Sequence, residues 1–121
     1  MKRICLILPL FVLFSPFILA TDNSDVIGTW KCETQTEKIV EFTLTLFEKD
    51  GRLFGKYNTE HLEMILHYIR ILNDELLFQT EIKGLKIKYR TTVEGNKIQG
   101  TLNTEDLTVK FAGVREEPPQ Q

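Results

Sequence analysis

The chain has 121 residues, of which 15 are basic and 17 acidic, with 42% hydrophobic residues and two cysteines. That length supports a single domain, and a formal charge of -2 leaves nucleic acid an improbable partner.

Lys2 and Arg3 precede an almost uncharged run from Ile4 to Leu19, followed by Ala20 and the polar stretch Thr21-Asp22-Asn23-Ser24-Asp25. This order predicts a cleavable secretory signal over residues 1–20 and a secreted or periplasmic protein. The run is shorter than the roughly 20 apolar residues of a spanning helix, and Pro9 and Pro16 interrupt it. Cleavage would remove two basic residues and no acidic one, taking the charge to -4 (13 minus 17). It would also remove Cys5, leaving Cys32 without a partner in its own chain. Cys32 is then either a buried core thiol or an exposed group free to bridge two chains.

Beyond a polar arm at 21–25, residues 26–115 read as one barrel and 116–121 as a disordered tail. Gly28-Thr29-Trp30 opens the first strand, and Val40, Phe42, Leu44 and Leu46 alternate with polar residues in the next. A two-residue turn at Asp50-Gly51 pairs Leu46 with Gly55 inside and Phe47 with Phe54 on the solvent face. Two adjacent exposed aromatics are a candidate protein contact; the plainer alternative is a cross-strand pair stabilising its hairpin by about 0.2–1 kcal/mol.

Residues 58–72 are read as one broken strand or two short ones, although Leu62, Ile65, Leu66 and Ile69 also fit a helical stripe. Counting outward from Asn73-Asp74 sets Ile71 against Leu76, Ile69 against Phe78, and His67 inward against Thr80. Around Lys83-Gly84, Ile82 meets Leu85, Thr80 meets Ile87 and Phe78 meets Tyr89 inside, while Glu81 meets Lys86 outside. Around Gly95-Asn96, Val93 meets Ile98 and Tyr89 meets Leu102 inside, while Glu94 meets Lys97 outside. A last turn at Thr104-Glu105 leads to Leu107, Val109 and Phe111. The buried faces agree from hairpin to hairpin, which predicts an all-β fold, an antiparallel up-and-down meander of eight or nine strands closed into a small barrel. Its outward residues are charged, the reverse of a barrel surrounded by lipid.

Enzyme chemistry finds little footing. The only serines are Ser15 and Ser24, outside the barrel strands, and no G-x-S-x-G, C-x-x-C or phosphate-cradling loop occurs. His61, Glu63 and His67 share one strand face, but six residues of extended chain hold the two histidines roughly 20 Å apart, too far for one metal. The expectation is therefore no catalytic residue, no metal and no cofactor. Gly28, Gly55, Gly100 and Gly113 all have inward parity, where they either leave room in the lumen or mark bends.

The pairing of Gly28-Thr29-Trp30 with Phe111-Ala112-Gly113-Val114-Arg115 resembles the lipocalin and wider calycin families, most nearly their short bacterial secreted members. The resemblance implies a barrel begun at Gly28 and closed at one end by Trp30 beneath Arg115. It also implies a non-enzymatic module for a small apolar ligand, whose site the inward parity would build from Trp30, His67, Thr80 and Tyr89. A second resemblance is to periplasmic protease inhibitors, small eight-stranded barrels with a G-x-W start, whose paired cysteines are missing here. It implies the alternative, a protein-interaction or protease-inhibitor-like barrel with a solid core, for which the hairpin register offers Phe47 and Phe54 as the working surface.

Overall fold

The computed structural model describes residues 21–116, so the expected signal at 1–20 and tail residues 117–121 lie outside the described residues. The polar arm at 21–25 leads into one helical turn, α1 (Asn23–Val26). Asp22 caps it: its carboxylate accepts from the Ser24 N–H, while the Asp25 carboxylate accepts in return from the Asp22 N–H at 2.8 Å. This reciprocal capping box stabilises a turn too short to persist on helix propensity. The turn delivers Val26, fully buried, to the end of the barrel.

Nine strands follow: β1 (Gly28–Thr34), β2 (Glu41–Lys49), β3 (Arg52–Asn58), β4 (Glu63–Ile65), β5 (His67–Leu72), β6 (Glu75–Ile82), β7 (Leu85–Glu94), β8 (Lys97–Asn103) and β9 (Thr108–Glu116). Their order, β4-β3-β2-β1-β9-β8-β7-β6-β5, is that of an antiparallel meander whose first and last strands pair, forming a nearly closed barrel. β9 runs one residue past the expected end of the barrel, because Glu116 still pairs with Thr29.

Four two-residue turns hold the expected register. Lys49 faces Arg52, Leu72 faces Glu75, Ile82 faces Leu85 and Glu94 faces Lys97. Asp50, Asn73, Asp74 and Lys83 take up positive φ beside Gly51, Gly84 and Gly95, the conformation such tight turns require. The last turn differs. Asn103 pairs with Thr108 across a four-residue connection closed by Thr104 N–H to Leu107 O, so Leu107 is exposed instead of facing the core.

The larger correction is at the seam. Residues 63–72 are extended, as a strand broken in two, but the halves serve different neighbours: β4 pairs with β3 and β5 with β6. Leu66 between them donates its N–H to Gly55 O at 3.0 Å. The β3 ladder sends Met64 and Leu66 inward, both even-numbered, whereas the Asn73-Asp74 turn sends Ile69 and Ile71 inward, both odd. One extra residue must absorb the change of parity, and a bulge at Tyr68, φ 56°, does so. His67 therefore pairs with Gln79, not Thr80, and is exposed. Holding a bulky residue in that conformation costs roughly 1–2 kcal/mol. Burying Leu66 in place of an imidazole offsets that cost by about 1.5–3 kcal/mol.

Candidate functional site

Three expected residues meet at the closed end. Trp30 is fully buried and donates Nε1–H to Val26 O at 2.9 Å, so the helical turn holds the indole against the core. The Arg115 guanidinium lies 4.4 Å from the ring centroid, a cation-π contact of about 0.5–2 kcal/mol. It also donates to the carbonyls of Ile27, Asp25 and Gly95, tying the N-terminal turn to the β7–β8 hairpin. Gly28, at φ 138°, sits where a Cβ would touch the Arg115 stem at 3.4 Å. Gly28, Trp30 and Arg115 are thus one structural unit that seals this end.

The interior above them is occupied. Phe78 and Tyr89 stack at 4.6 Å, Phe42 and Tyr57 at 4.9 Å, and Phe111 stands edge-on to Phe42 at 5.3 Å. A barrel of about this strand number has room for its own side chains or one small ligand, and here five rings take that space. At Gly100 and Gly113 a Cβ would collide with the backbone carbonyls of Arg90 and Lys31. These glycines are places of close strand approach, not room left for a ligand.

Thr80 and Tyr89 are both buried and hydrogen-bonded to each other at 3.0 Å, so each satisfies the other's hydroxyl. Burial raises the Tyr89 phenol well above its ordinary range, against the opposing effect of the Thr80 bond. Of the four residues expected to line a ligand site, Trp30, Thr80 and Tyr89 are core residues and His67 lies outside. Cys32 is a core thiol, 4% exposed, and burial pushes its pKa up to about 12. Among the described residues, no three His, Cys, Asp or Glu side chains converge to hold a metal.

The outer wall is where the remaining candidates come together. Phe47 and Phe54 face each other across β2 and β3 with ring centroids 5.8 Å apart, 41% and 40% exposed. Ile65, missed in the sequence, faces Lys56 one step along the same wall and is 65% exposed. Counting from the Asp50-Gly51 turn stops at β3, because the connection closed by Thr59 N–H to Leu62 O sets the register of β4. The rest of this column is polar or charged, with Lys49 opposite Arg52 below the rings, and Thr45, Asn58 and Lys56, the last within 3.4 Å of Glu63, above them.

These features define a small antiparallel β-barrel with a sealed end, a filled centre and an apolar patch on its wall. No protein-family model matches the chain, and no curated protein matches it. Among solved structures it is similar to a redesigned β-barrel, with a TM-score of 0.55 and 12% identity over 82% of this chain and 98% of that one. At that identity the likeness establishes the fold alone.

Proposed function

We propose that this chain is an exported, non-enzymatic interaction module, a lipocalin-like barrel that meets a protein through the outer wall at Phe47 and Phe54. The single observation that carries the reading is the contrast between a filled interior and two stacked rings left about two-fifths exposed on the wall. The lipocalin-like kinship rests on Gly28, Trp30 and Arg115 coming together, an arrangement their spacing in sequence anticipates. That same kinship favours a second reading, a small apolar ligand beside Trp30, Thr80 and Tyr89. The second reading would require the aromatic cluster to open.

The test is a Phe47→Ser/Phe54→Ser double variant, with circular dichroism confirming the fold. Loss of cross-linked partners or a change of oligomeric state is the expected result. If both match the wild type, the wall is not a contact surface.

A further inference from the structure

The exposed column on β2, β3 and β4 has an order along its length that suggests its partner. At the turn end stand Lys49 and Arg52, directly opposite each other, and neither has an ion pair among the described residues. Like charges set across a ladder repel, so this pair is an unfavourable feature for the isolated chain. Next come Phe47 and Phe54, then Thr45 and Lys56 with Ile65, and at the far end Thr43 and Asn58 with Glu63. Glu63 is half-exposed, and its one ion pair among the described residues, with Lys56, is made on the surface at 3.4 Å.

Cations at the turn end, the apolar Phe47, Phe54 and Ile65 around the Lys56 stem, and the Glu63 carboxylate at the far end give a column whose two ends differ in charge, so that it can face itself when turned end over end. A two-fold axis between the Phe54 and Lys56 rows would bring Arg52 of one copy over Asn58 and beside Glu63 of the other, twice by symmetry. It would also seat Phe54 on the other copy's Lys56 stem beside Ile65, and Phe47 on its Thr45. Resting on the reading of this wall as a contact surface, we infer that its partner is a second copy of this chain, packed wall to wall about a two-fold axis.

The area sets the strength. Two half-covered rings and one isoleucine present roughly 250–300 Å² of apolar surface per copy, against about 800 Å² per partner in a stable interface. The dimer is therefore weak and concentration-dependent.

Sedimentation equilibrium of the folded protein from 1 µM to 1 mM tests it. The wild type should shift from monomer to dimer, and Phe54→Ser should weaken association at least tenfold. Arg52→Glu and Glu63→Arg should each weaken it, and combining them should restore it, because the swapped charges meet again across the axis. A monomer at every concentration, or a double variant weaker than either single one, overturns the inference. If the wild type stays monomeric while the double serine variant still loses a cross-linked partner, the second copy is refuted and the contact surface survives. If neither changes, both readings fall.

Discussion

The sealed end and the seam of this barrel solve the same problem, joining distant parts of the chain, in opposite ways. At the sealed end Trp30, Arg115 and the capped turn interlock through side chains: an indole N–H on Val26, and a guanidinium on three carbonyls. At the seam the backbone makes the join by changing partner, with β4 on β3, β5 on β6 and a strained bulge between. Side-chain closure leaves named residue types in the sequence; backbone closure leaves only a parity. The first should accordingly fail at a single residue, and the second should tolerate change at every position except the one that fills the core.

The largest expected effect is at Trp30. Trp30→Ala removes a fully buried ring, the bond to Val26 and the surface beneath Arg115, and should cost about 3–5 kcal/mol by urea unfolding. A loss below about 1 kcal/mol would mean that the end is sealed by other contacts.

At the seam, neighbouring residues should behave oppositely. Leu66→Ala should cost about 2–4 kcal/mol, since Leu66 is buried against Gly55, whereas His67→Ala should change stability by less than about 0.5 kcal/mol. The reverse ranking would restore the register in which His67 points into the barrel.

Most of the fold was legible because two-residue turns tie each strand to the next by counting, and Gly51, Gly84 and Gly95 fix where the count begins. The count fails in two places for physical reasons. After Asn103 the chain spends four residues where two would do, and nothing in Thr104-Glu105-Asp106-Leu107 sets the turn length. At 66–69 the register depends on β3 and β6 together, a non-local demand that no single hairpin expresses. Its trace was present all the same, in the three-residue step from Leu66 to Ile69 between two runs of period two. The closed end was legible from three residues; the outer patch was legible as Phe47 and Phe54 but not as the longer column that includes Ile65.

A smaller effect separates the core from both joins. Burial raises the Cys32 thiol and the Tyr57 and Tyr89 phenols, so their neutral forms are favoured in the folded state. The stability they hold is complete below the unfolded values of 9.0 and 10.0 and declines as pH climbs toward the folded ones, about 12 for Cys32. The urea midpoint should fall steadily above pH 9. An unchanged midpoint between pH 9 and 11 would contradict the burial of these three groups.

The filled interior is the claim on which the rest depends, and Trp30 emission reports on it directly. Titrating the folded protein with a panel of fatty acids, retinoids and an anilinonaphthalene dye should leave that emission flat, because five rings already occupy the space above the indole. Saturable quenching that a Tyr89→Phe variant shifts would place a ligand inside the barrel and move the working site from the wall to the lumen.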